Sequence, residues 1–152
     1  MMHFAKYNSC GNDFIIIDNS DGLFPIGKRG CGQSYKYIQA LCDRVHGVGA
    51  SVREDVKISE DLEHKIIGAD GLILLRLHQD VVYYMSYFNS NGYPSSFCGN
   101  GIMCSAHFAV SLGFCGKKNI GHGQFKTREG VFSFKSDINT VMCWRVIYKG
   151  FA

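Results

Sequence analysis

Ser95-Ser-Phe-Cys-Gly-Asn-Gly-Ile-Met-Cys-Ser-Ala-His-Phe-Ala-Val-Ser-Leu-Gly113 decides how the rest of this chain is read. It opens as a glycine-broken turn carrying a cysteine and continues as apolar and small residues. No Asp, Glu, Lys or Arg occurs between Cys98 and Gly116. Ile102, Ala106 and Ala109 mark one helical face, while Met103, Phe108 and Leu112 mark others. A helix that is apolar all round is buried all round, and the run is shorter than the roughly 20 residues a membrane span needs. The stretch therefore predicts a central buried helix wrapped by the rest of the domain, with Cys98-Gly-Asn-Gly101 as its first turn. Unpaired backbone N–H groups and the positive end of the helix dipole meet there. Donors so placed favour a thiolate over a thiol. Cys98 is accordingly the first candidate for chemistry.

The 152 residues suit one domain of ordinary size, able to bury a real core. Hydrophobic residues at 46% and charged ones at 19% describe a globular chain rather than a disordered one. The net charge is only +3, and no basic cluster accompanies the aromatics, so nucleic acid is not suggested as a partner. Met1-Met-His-Phe-Ala-Lys-Tyr7 lacks the layout of a signal peptide. Seven cysteines without CxxC spacing argue against a disulfide framework or a zinc site. They suit reduced thiols in a cytoplasmic protein; no metal, cofactor or membrane is expected.

His3 to Lys6 and Phe14 to Asp18 read as strands, the second through its β-branched run Ile15-Ile-Ile17. Asn8 to Asp13 between them reads as a polar turn. Asp18 to Gly32, with Pro25 and four glycines, is loop. Ser34 reads as the N-cap of a helix through about Val45, with Tyr37, Ile38, Leu41 and Cys42 on its buried side. Gly47-Val-Gly49 ends it, and Ser51 to Lys65 forms one densely charged run, expected as a solvated surface insertion or a partner-binding appendage. Leu72 to Leu77 and Val81 to Phe88 are strands, followed by the turn Asn89-Ser-Asn-Gly92. After the central helix, Asn119 to Lys126, Val131 to Lys135 and Thr140 to Tyr148 alternate like strands. Many strands with two helices predict an α+β domain, a mixed or antiparallel sheet around the helix.

Several stretches together resemble one family. Tyr7-Asn-Ser-Cys-Gly-Asn-Asp-Phe-Ile-Ile-Ile-Asp18 is similar to the opening strand-turn-strand of diaminopimelate epimerase. Leu41-Cys-Asp-Arg-Val-His-Gly-Val-Gly49, followed by Gly68-Ala-Asp-Gly-Leu-Ile-Leu74, resembles its next signature. Tyr87-Phe-Asn-Ser-Asn-Gly92 and Phe97-Cys-Gly-Asn-Gly-Ile-Met-Cys104 resemble the third. The resemblance implies cofactor-independent inversion of an amino-acid α-carbon, in lysine and peptidoglycan precursor synthesis, by one thiolate that removes the α-proton and a second thiol that delivers one. It implies Cys98 as one of that pair, with Asn12, Asn89, Gly99 and Asn100 at substrate-contacting positions. Main-chain N–H groups at Gly99 to Gly101 would hold the α-carboxylate.

The sequence departs from the family in two places. Ala50 to Gly68 interrupts the glycine-rich signature, and nothing resembles the family's second domain with its second cysteine. Residues 1 to 152 therefore read as a single epimerase-like domain with a charged insertion at about 50 to 68. Whether it is an enzyme by itself stays open. The missing acid would come from a separate second half or from a second copy in a homodimer, and an inactive remnant or binding domain of the same fold is the alternative. Its small-molecule partner would be an amino acid.

Plainer readings accompany these residues. Cys98 would otherwise be a small buried thiol. Cys104 reads as core, and Cys10, Cys31, Cys42, Cys115 and Cys143 as packing or surface thiols. Asn12 would otherwise be a turn residue at φ > 0 beside Gly11. Asp43 and Arg44 read as a pair closing a helix C-terminus. His107 reads as a satisfied core histidine, and His46 earns only a weak flag.

Overall fold

The computed structural model describes residues 3–25, 34–49, 60–63, 65–96 and 98–146. Cys31 and Phe97, most of the charged run and the end of the last expected strand lie outside them.

Two apolar runs organise the structure. Phe14-Ile-Ile-Ile17 and Leu72-Ile-Leu-Leu75 are buried at every position, which means that both of their faces are covered. The first belongs to β2 (Asn12–Asp18) and the second to β3 (Gly71–Leu77), and the two pair in parallel. Phe14, Ile16, Ile73 and Leu75 pack with α3 (Gly99–Ser111) on one face. Ile15, Ile17, Leu72 and Leu74 pack on the other with Ile38 and Cys42 of α1 (Ser34–Cys42) and with Phe24.

The remaining strands complete one seven-stranded mixed sheet in chain order. β1 (His3–Ser9) is antiparallel to β2, and β4 (Tyr83–Asn89) is antiparallel to β3. β5 (Gly121–Thr127), β6 (Gly130–Ser136) and β7 (Val141–Arg145) follow as an antiparallel meander. β5 joins β4 in parallel through only two residue pairs, Tyr83 with Phe125 and Tyr84 with Lys126. Both edge strands, β1 and β7, contact α3, so the sheet curls about the helix. A stacked aromatic layer fills the far end of this core, with Tyr83 and Phe125 at 4.9 Å between ring centres. The Tyr83 hydroxyl is 3.0 Å from Ser105 Oγ, so its polar tip is satisfied where water is absent.

The expected α+β class and the mixed sheet are found. The helix is not buried all round: Asn100, Met103, His107 and Ser111 form a partly exposed stripe at helical spacing. The reason is topological, because a curled sheet whose edges do not meet leaves one side of the helix open. His107 is correspondingly not a core residue; its Nδ1 is 2.9 Å from Oη of Tyr7 on β1.

Other boundaries move for local reasons. The polar segment between β1 and β2 contracts to a two-residue hairpin, Cys10-Gly11, with φ of 53° and 82°. Positive φ at both central residues matches the twist of a tight hairpin. α1 stops at Cys42 rather than Val45, since Asp43 Oδ1 accepts the N–H groups of Val45 and His46 and turns the chain aside. Ile38 and Cys42 are buried on that helix as expected, Leu41 is half-buried, and Tyr37 is 53% exposed. The charged run contributes a short helix, α2 (Glu60–Glu63), and its base is closed. Gly49 bridges Ile67, and the Gly68 N–H donates to Val48 O at 3.0 Å. The interruption therefore leaves Gly47-Val-Gly49 beside Gly68-Ala-Asp-Gly71.

Candidate active site

Cys98 is the N-cap of α3, with φ −147° and ψ 109°. In that extended conformation its side chain turns back over the first turn, and Sγ accepts the Gly101 N–H at 3.4 Å. Glycine at 101 suits the spot because a Cβ there would stand 3.1 Å from Ile73 Cδ1 and 3.6 Å from the sulfur. Ile102 N–H donates to Cys98 O, while the Gly99 and Asn100 N–H groups have no acceptor among the described residues. Two backbone donors thus stay open beside a half-buried thiol, at the positive end of a 13-residue helix.

The β1–β2 hairpin closes on this turn. Asn12 Nδ2 donates to Cys98 Sγ at 3.5 Å, and Ser9 Oγ donates to Asn100 Oδ1 at 3.4 Å. Asn12 itself lies in β2 and leaves positive φ to Cys10 and Gly11, so the plain turn reading of Asn12 fails. Gly99 and Asn100 open the helix as expected. Asn89 is at one remove, ending β4 with its Oδ1 accepting from the Tyr87 hydroxyl at 3.3 Å. Burial, followed by the nearby Cys98 and Asp70, pushes that phenol up to about 12.

Behind the hairpin stands an ion network that the sequence reading missed. Asp13 is 2% exposed and receives both Arg44 guanidinium nitrogens at 2.7 Å. Arg44 Nη2 also pairs with Asp70 Oδ1 at 2.7 Å, so Arg44 does not close its own helix with Asp43. Asp13 N–H donates to Asp70 Oδ2, and Asp70 N–H donates to Asp13 O at 3.0 Å. Lys65, at the base of the insertion, donates to Gly11 O, and Lys6 donates to Lys65 O at 2.6 Å. Burial alone would raise the Asp13 carboxyl, but hydrogen bonds from Arg44 and Asp70 and the Arg44 charge hold it at about 2. The signal was available: a carboxylate inside a strand as apolar as Asp13-Phe-Ile-Ile-Ile17 needs a partner.

Cys98 borders a cavity of about 220 Å³ between β4 and the start of α3. Among the described residues no three of His, Cys, Asp and Glu gather as a metal ion would require. All six described cysteines are free. Burial pushes Cys42, Cys104 and Cys143 up to about 12.

These features can be set beside known proteins. No protein-family model matches the chain. Diaminopimelate epimerase of Flavobacterium psychrophilum is 40% identical over 111 residues, which cover 73% of this chain and 34% of that enzyme. The enzyme of Archaeoglobus fulgidus is 30% identical over 115 residues, 76% of this chain and 33% of its own length. The chain is a partial match to diaminopimelate epimerase. It spans about a third of the length of the curated relatives it matches. The crystal structure of a methylitaconate-delta-isomerase superposes with a TM-score of 0.55 at 10% identity, covering 91% of this chain and 61% of that one, a likeness of fold alone. The stretches that resemble the epimerase signatures converge here. Tyr7–Asp18 supplies Asn12 and Asp13, Leu41–Gly49 supplies Arg44, Gly68–Leu74 supplies Asp70, and the cysteine turn supplies Cys98.

Proposed function

We propose that this chain carries one side of an amino-acid epimerase site of the diaminopimelate epimerase kind. The observation that carries the reading is Cys98 as helix cap, with its sulfur between the Gly101 N–H and Asn12 Nδ2 and two open N–H groups beside it. A substrate carboxylate bound at the Gly99 and Asn100 N–H groups would place its α-carbon next to the sulfur. The Cys98 thiolate takes the α-proton, forming S–H. The C–H bonding pair moves into the carboxylate as an enediolate, whose charge the same donors and the helix dipole stabilise.

Inversion then requires a second acid that returns a proton to the opposite face. Cys98 is the thiol bordering the cavity among the described residues, and we assign the second acid to a separate half or a second copy. A groove of about 600 Å³ beside Gly99, between Met103 on the open stripe of α3 and Trp144 of β7, supports this. Trp144, which borders that groove, is 51% exposed, and exposed apolar surface of this kind marks a partner face.

The test is proton NMR of diaminopimelate in D₂O with the purified chain. Cys98 alone exchanges the α-proton for deuterium with retention, whereas a completed site also interconverts the stereoisomers. Loss of the α-proton signal in the wild type and its persistence with Cys98→Ser is the expected result. A folded chain that neither exchanges the proton nor binds the amino acid would overturn the reading.

A further inference from the structure

β2 pairs with β3 only from Phe14 onward, so the tip of the first hairpin, Ser9 to Asn12, projects past its neighbour in the sheet. Where Asn12 sits against Cys98 therefore depends on what the tip touches beyond the strands. Its contacts with the start of α3 are soft. Ser9 Oγ meets Asn100 Oδ1 at 3.4 Å, long for a hydroxyl donor, and Asn12 Nδ2 meets the Cys98 sulfur, a weak acceptor, at 3.5 Å. The charge-assisted contact comes from elsewhere. The Lys65 ammonium donates to Gly11 O, the carbonyl of the peptide bond that joins Gly11 to Asn12. Such a bond is roughly twice as strong as a neutral one. A planar peptide passes any hold on that carbonyl directly to the Asn12 backbone.

Lys65 belongs to the Ala50 to Gly68 interruption, and its own place is fixed from several sides. Lys6 of β1 donates to Lys65 O at 2.6 Å and to Ile66 O at 3.1 Å. Arg44 Nη1 reaches Ile67 O at 3.4 Å, and Lys65 Nζ stands 3.7 Å from Asp70 Oδ2. We infer that Lys65 is a positioning residue for the Cys98 centre: the base of the insertion holds the hairpin tip so that the Asn12 amide stays on the sulfur. The inference rests on Cys98 as the reactive thiol of the epimerase reading. It gives the base of the interruption a role at the site rather than on a solvated surface.

The rate at which iodoacetamide alkylates Cys98 at neutral pH, read by site-resolved mass spectrometry on the full chain, tests this. Lys65→Met should slow it about two- to fivefold, as Asn12→Ala does, the scale of one hydrogen bond to the sulfur. The two changes together should slow it no further than Asn12→Ala alone, because both remove the same contact. Lys65→Arg, which keeps a charged donor for the carbonyl, should stay close to the wild-type rate. An unchanged rate in Lys65→Met, slowing that adds to that of Asn12→Ala, or equal slowing in Lys65→Arg overturns the inference. Fast labelling of buried Cys104 in Lys65→Met would reveal a loosened core instead and overturn it as well. Alkylation reads the thiol rather than turnover, so each of these failures removes the role of Lys65 and leaves the epimerase reading to its own NMR test.

Discussion

Asn12 Nδ2 stands 3.5 Å from Cys98 Sγ, across 86 positions of sequence. This contact ties the first hairpin to the cap of α3 and gives the sulfur a side-chain donor besides the Gly101 N–H. A long hydrogen bond to a group that becomes charged contributes about 0.5–1 kcal/mol, so Asn12→Ala should slow alkylation of Cys98 about two- to fivefold at neutral pH. An unchanged rate, with the fold intact by circular dichroism, would show that the amide does not act on the sulfur.

Asp13 gives the fold a pH dependence of definite sign. Its carboxyl lies at about 2 in the folded chain against an ordinary value of 3.8. The unfolded chain therefore binds more protons between these values, and stability is full above about pH 5 and falls as pH drops toward 2. A gap of this size corresponds to about 2 kcal/mol. Urea midpoints at pH 6, 4 and 3 should decline in that order, and a flat profile would contradict the buried pairing.

Among the described residues, Arg44→Met leaves the Asp13 carboxylate with Lys6, 3.6 Å away, as its cationic neighbour. Arg44 is itself partly exposed, so the loss should be about 2–3 kcal/mol, below that of a fully buried pair. The variant should also lose most of the acid sensitivity described above. Both effects read out in the same urea series.

Gly68 has φ +69°, and a Cβ there would lie 2.3 Å from Cys42 O and 2.4 Å from Asp43 O. Both obstacles are backbone, which cannot swing aside. Gly68→Ala should cost more than about 2 kcal/mol through left-handed strain and this clash. The control Gly49→Ala, with open space at its Cβ, should cost far less. Similar melting temperatures for the two variants would refute the packing argument.

The thiols should react in an order set by burial. Cys42, Cys104 and Cys143, pushed up to about 12, should be modified slowly by iodoacetamide at pH 8. Among the described cysteines, exposed Cys10 and half-buried Cys98 should react first. Fast labelling of Cys104 would mean that the α3 core opens.

Much of this protein is local and legible without coordinates. Cys98-Gly-Asn-Gly101 shows a cap, small residues and backbone donors within four positions, so its place at the start of α3 follows from helix-end chemistry alone. The apolar runs Phe14–Ile17 and Leu72–Leu75 similarly announce the two central strands. Long-range geometry decided the rest. Arg44 meets Asp13 across 31 positions because α1 covers the face of β2 and β3, a relation no spacing encodes. Helix α3 keeps an exposed stripe because β1 and β7 do not meet, although its composition predicts burial on every side. Sequence by itself determined the strands, the capped helix and the cysteine at its head, since each depends on neighbours a few residues away. Only tertiary structure decided which groups surround that cysteine and which side of the helix stays open, because both depend on how a curled sheet brings distant segments into register.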